Sequence, residues 1–128
     1  MRVGADEIEF EVTSEDGVAG MVARGGGVME LDHGYLTIAR IAGEPADLLR
    51  FYRRSAEVMN GVGRDHGLLV HAAAATDDGL VMVNVWPSPD GSEAAARDPR
   101  RLGVLASAGF EPGQLTREHH GAAHVVLF

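Results

Sequence analysis

Cysteine and lysine are both missing from the 128 residues. Without cysteine there are no disulfides, no thiolate metal ligands and no thiol nucleophile. Without lysine there is no Schiff-base chemistry on a side-chain amine. Positive charge is scarce: eleven arginines stand against nineteen acidic residues, for a formal net charge of −8 and a pI near 5.1. Nucleic acid, which is bound by clustered cations that displace counterions, is therefore not an expected partner. No apolar run approaches the ~20 residues that span a bilayer, so no membrane association is expected. The first residues lead into acidic sequence rather than an apolar stretch, and a secretory signal is not expected either. A chain free of cysteine suits a reducing compartment, and the cytoplasm is the expected location.

What is present suits a globular protein. The apolar fraction is 45%, well above the range of disordered chains. The length fits one domain able to bury a core without covalent staples. Acidity is concentrated at the start: residues 1–33 carry eight acidic and two basic groups, whereas residues 34–128 carry eleven and nine.

Residues 7–12 alternate glutamate with Ile8, Phe10 and Val12, the period of a half-buried strand. A turn signal at residues 13–17 and a returning strand over 18–24 make residues 1–33 an N-terminal extension, read as a β-hairpin. Gly25-Gly26-Gly27 leads into no helix and reads as a joint, not a phosphate loop. From Gly34 the pattern changes. A strand over 35–41 is followed by Pro45 at a helix start. Leu49, Tyr52, Ala56 and Met59 then share one helical face, and Gly61 reads as the C-terminal stop. Strands over 68–76 and 80–86 flank Asp77-Asp78-Gly79, a tight-turn signal. Asp90 and Glu93 have capping-box spacing. Asp98-Pro99 restarts or kinks the second helix, Gly109 closes it, and residues 119–128 form a last strand.

The order strand, helix, strand, strand, helix, strand over 34–128 is the split βαβ pattern. It predicts an α+β, ferredoxin-like βαββαβ domain: a four-stranded antiparallel sheet with both helices on one face. The strand 80–86 is apolar on both sides: Val81, Val83 and Val85 on one, Leu80, Met82 and Trp86 around Asn84 on the other. Helices cover only one face, so a homodimer joined through the second is expected.

Residues 34–128 resemble the dimeric α/β-barrel proteins grouped with the antibiotic-biosynthesis monooxygenases. The resemblance lies in the element order, in Thr76-Asp77-Asp78-Gly79-Leu80-Val81, in Val85-Trp86-Pro87-Ser88, in Asp98-Pro99 and in the stretch from Ala106 to Gly109. It implies a cavity between sheet and helices that holds a small apolar molecule. It also implies a place in secondary metabolism. Activities known for such folds include cofactor-independent oxygenation of polyketide phenols, polyketide cyclisation, haem degradation and muconolactone-type isomerisation. The chain departs from the family after Trp86: the usual aromatics are replaced by Glu93-Ala94-Ala95-Ala96, which implies a roomier pocket or thinner helix packing.

A two-residue turn at Asp77-Asp78 sets His71 opposite Asn84, Leu69 opposite Trp86 and Ala73 opposite Met82, all on one face. The candidate catalytic residues are therefore His71 as acid or base, Asn84 and Arg40 as stabilisers of developing oxyanion charge, and Trp86 as a stacking surface. The alternative is a hydrogen-bonded pair and a core tryptophan in a non-catalytic ligand-binding or dimerisation module. His119, His120 and His124 do not have metal-site spacing: four positions along a strand span about 13 Å. No tightly bound cofactor and no metal are expected, since no phosphate-cradling turn precedes a helix.

Overall fold

The computed structural model describes residues 9–10, 21–24 and 28–128. In chain order the elements are β1 (Glu9–Phe10), β2 (Met21–Arg24), β3 (Val28–Ala42), α1 (Pro45–Asp65), β4 (Val70–Thr76), β5 (Gly79–Trp86), α2 (Pro89–Ala96), α3 (Pro99–Ala108) and β6 (Leu115–Leu127). Strands β4, β5, β3 and β6 form, in that order, an antiparallel sheet. This is the ferredoxin-like α+β arrangement expected from the element order.

The turn at Asp77-Asp78 fixes the central register. Thr76 pairs with Gly79, Ala73 with Met82 and His71 with Asn84, as a two-residue hairpin loop requires. Gly79 is needed at this corner because a Cβ there would collide with the Ile41 carbonyl. On the far side of β5, Thr37 pairs with Asn84 and Ala39 with Met82. In turn Thr37 pairs with His119, and Ala39 with Arg117. Strand alternation therefore puts Ala39, His71, Met82, Asn84, Trp86 and Arg117 on one face. Leu36, Ile38, Arg40, Val81, Val83, Val85 and Glu118 lie on the other.

Helix α1 starts at Pro45, with Glu44 capping: its carboxylate accepts from the Ala46 amide at 2.8 Å. It does not stop at Gly61 but continues to Asp65. Val62 is buried, and Gly63 presses so closely on Leu68 that a Cβ would lie 2.6 Å from it. Packing, not chain termination, accounts for glycine there. The second helical stretch is divided where Asp98-Pro99 predicts. Pro99 opens α3, and the Asp98 carboxylate accepts from the Arg100 amide at 2.9 Å. His66 reaches the same carboxylate at 2.9 Å, which ties the end of α1 to the start of α3. The Arg100 guanidinium first, and His66 second, hold the Asp98 carboxyl well below the usual carboxylate range. Gly109 ends α3 in the left-handed conformation at φ 67°. Asp90 is not a cap: α2 begins at Pro89 after Ser88, and Asp90 lies inside its first turn.

Two boundaries differ from the sequence expectation. Strand β3 begins at Val28, not near Gly34, and Leu31 on its early half is almost fully buried with Leu69, Val85, Val125 and Leu127. Strand β6 begins at Leu115, not at His119. The first half of β3 and the second half of β6 thus form a ribbon with register shifts on either side of Gly34. The expected N-terminal hairpin falls largely outside the described residues. Its described pieces pair elsewhere, β1 with β4 and β2 with β3. Gly25-Gly26-Gly27 also lies outside the described residues.

Candidate functional site

Between the helices and the inner sheet face lies a cavity of about 140 Å³, and beside it a second chamber of about 70 Å³. Ala39, Asn84, Trp86, Ala95, Arg101 and Arg117 line both. The larger chamber is walled mainly by apolar side chains, among them Ile41, Phe51, Met59, Leu80, Met82 and Leu105. Short alanines on α2 contribute to the room: Ala95 and Ala96 stand where bulkier side chains would fill the smaller chamber.

Three polar groups form a chain in the wall of the larger chamber. His71 Nδ1 lies 2.6 Å from Asn84 Oδ1, and His71 Nε2 lies 2.7 Å from the Tyr52 hydroxyl. An amide oxygen only accepts, so Nδ1 carries the ring hydrogen and Nε2 accepts from the tyrosine. The Tyr52 and His71 rings are stacked, with centroids 5.7 Å apart. Burial lowers the His71 pKa, and the hydrogen bond to Asn84 opposes this in part. The imidazole is therefore neutral near pH 7 and able to take a proton.

Trp86 is 5% exposed and packs with Val62, Ala95, Tyr35 and Leu68. The first turn of α2 rests on it: a Cβ on Gly91 would lie 3.0 Å from Trp86 Cε3. Its indole Nε1 is buried without an acceptor among the described residues.

The structure thus brings His71, Asn84 and Trp86 together, but not Arg40. Arg40 lies on the opposite face of the sheet, paired with Glu118. Its register explains this: it is one residue out of phase with Ala39 and Ile41, which face the cavity. Two cations do line the cavity, Arg101 and, outside the strand expected from sequence, Arg117. Arg117 stays solvent-accessible, yet the protein around it lowers its pKa by desolvation. No ion pair or hydrogen bond engages Arg117 among the described residues. Sequence reasoning also missed Tyr52. The available signal was its position on the apolar stripe of α1, where a hydroxyl must find a polar partner.

The C-terminal histidines separate. His119 faces the smaller chamber and meets the Tyr35 hydroxyl at 3.0 Å. His120 pairs with Glu118. His124 lies among Glu30 and Asp32, three residues whose ligand atoms fall within 4.8 Å of one another. That grouping sits at the surface, with Asp32 and His124 both exposed.

The sheet order and the cavity between sheet and helices define an α+β ferredoxin-like protein with the fold of the antibiotic-biosynthesis-monooxygenase group. Among solved structures, one provisionally named an antibiotic biosynthesis monooxygenase, from Caulobacter crescentus CB15, is similar. It has 15% identity and a TM-score of 0.60, over 72% of this chain and 92% of that one. Another so named, from Chloroflexus aurantiacus J-10-fl, has 17% identity and a TM-score of 0.55, over 70% and 93%. A dimeric ferredoxin-like protein of unknown function from Thermobifida fusca YX has 15% identity and a TM-score of 0.53, over 70% and 91%. At these identities the likeness establishes the fold. No protein-family model matches the sequence, and no curated protein matches it.

Proposed function

We propose that this chain is a small-molecule enzyme of the monooxygenase or cyclase type that acts on an apolar aromatic substrate without a bound cofactor. The observation that carries the reading is the Tyr52–His71–Asn84 chain in the wall of an apolar cavity. A substrate hydroxyl or acidic C–H beside Tyr52 passes its proton to the tyrosine oxygen as the tyrosine proton moves to His71 Nε2. Asn84 Oδ1 then holds the imidazolium through Nδ1–H. The electron-rich anion left in the cavity reacts with dioxygen in an oxygenase, or closes on a carbonyl carbon in a cyclase. The apolar walls keep water from that anion. Trp86 forms part of the wall of both chambers.

The non-catalytic binding module remains the second reading. An open cavity lined by His71, Asn84 and Trp86 favours a small-molecule site over a module that serves dimerisation alone, which has no need of that space. Dioxygen uptake with 1,8-dihydroxyanthrone as substrate separates the two. The enzyme reading expects protein-dependent uptake well above the uncatalysed rate. Saturable binding of phenols and anthrones with no uptake and no cyclised product would support the module.

The working form in this proposal is a homodimer. Ile38, Val81 and Val83 lie on the sheet face without helices and are only half-buried in the single chain. A second copy, sheet against sheet, supplies the missing cover.

A further inference from the structure

We infer that the smaller chamber is a carboxylate subsite, so that the preferred ligand is an apolar ring bearing one carboxylate held by Arg117. The inference rests on reading the cavity as a small-molecule site, but not on the proton relay. Two observations lead to it.

Arg117 is the first. It lines both chambers and has no ion pair among the described residues, although the chain carries nineteen carboxylates against eleven arginines. The second is where those carboxylates are not: among the described residues no Asp or Glu lines either chamber, while Arg101 and Arg117 line both. Arg101 spends one N–H on the Ala96 carbonyl at 3.1 Å, which leaves Arg117 as the cation without a partner among the described residues. A cavity that is positive inside a strongly negative protein selects for an anion. The planar guanidinium fork matches a carboxylate in two parallel hydrogen bonds.

The division of the cavity adds a geometric condition. The ring occupies the larger apolar chamber against Tyr52 and His71, and the carboxylate reaches past Asn84 and Trp86 into the smaller one. Arg117 then acts in recognition and orientation, while proton transfer stays with Tyr52 and His71.

The test is binding of 4-tert-butylbenzoate against its neutral isostere 4-tert-butylbenzamide, by calorimetry and by the fluorescence of Trp86, the only tryptophan in the chain. The acid is expected to bind about tenfold more tightly than the amide, the size of one charge-assisted pair. Arg117→Gln removes the preference, and Arg117→Lys restores part of it. Circular dichroism checks that both variants fold. His71→Gln keeps the preference, because the relay does not hold the carboxylate. Equal affinity for acid and amide, no binding of either, or a preference that survives Arg117→Gln would each overturn the subsite. Failure of the relay would look different: no dioxygen uptake, with the acid preference intact.

Discussion

His71 has both ring nitrogens engaged, one by an acceptor oxygen and one by a hydroxyl, and this fixes what it can do. With Nδ1–H held by Asn84, only Nε2 is free to receive a proton, and in the proposed reaction that proton arrives through Tyr52. The burial that lowers the His71 pKa is opposed by the Asn84 hydrogen bond. Removing that bond while keeping the volume therefore moves the pKa further down. We expect the His71 ring in Asn84→Leu to titrate at a lower pH than in the parent protein, followed by the imidazole carbon-bound proton in NMR; an upward shift would contradict the assignment. The sign for stability follows. A depressed folded-state pKa makes the protein less stable as pH falls from the ordinary histidine value through the lowered one, because the unfolded chain binds the proton more readily. The facing of His71 and Asn84 was legible in the sequence, because a two-residue turn leaves one register. Tyr52 was not, because amphipathic spacing says which helical face is buried and not which sheet residue it meets. Arg40 drew attention as a charge within a strand, but its face depends on pairing with β5 that no local pattern encodes.

Among the elements, the β3–β6 ribbon departs most from the sequence pattern. The run Glu30, Asp32, His33 hides a core residue, Leu31, which is 2% exposed. The polar neighbours and Gly34 interrupt the apolar alternation, so the strand reads as starting late. Gly34 itself is a close-packing position, since a Cβ there would lie 2.8 Å from Val125 Cγ2. At the other end, Thr116, Arg117 and Glu118 look like a loop, and only pairing with Ala39 and its neighbours makes them strand. That misreading kept Arg117 out of the candidate site. Residues 28–33 are part of strand β3, where the sequence pattern placed them in an extension ending at residue 33. We expect Leu31→Ala to cost about 2–5 kcal/mol of stability, the range for a buried leucine truncated in a close-packed core. Urea denaturation measures it; a loss below about 0.5 kcal/mol would show that the ribbon is peripheral.

For the whole molecule, the sheet has two unlike faces. Its inner face, under α1, α2 and α3, carries the cavity. Its outer face carries Ile38, Val81 and Val83 together with the Arg40–Glu118 pair. Val81 and Val83 gave the outer face away in the sequence, because no helix in a two-layer fold reaches it. A charge introduced there should block association and leave the inner face intact: Val83→Glu is expected to sediment as a monomer while keeping the circular dichroism of the parent. A parent protein already monomeric at micromolar concentration would contradict the dimer. The central claim concerns the inner face, namely that a neutral His71, reached through Tyr52, takes a proton from a bound aromatic substrate. Its most direct test is the pH dependence of dioxygen uptake with an anthrone substrate. The account predicts that the rate rises with pH to a plateau, with the midpoint below the ordinary histidine value of about 6.5. It predicts that His71→Gln lowers the plateau by about 10²–10⁴-fold and removes the inflection. A midpoint above that value, or a profile unchanged in His71→Gln, would contradict it.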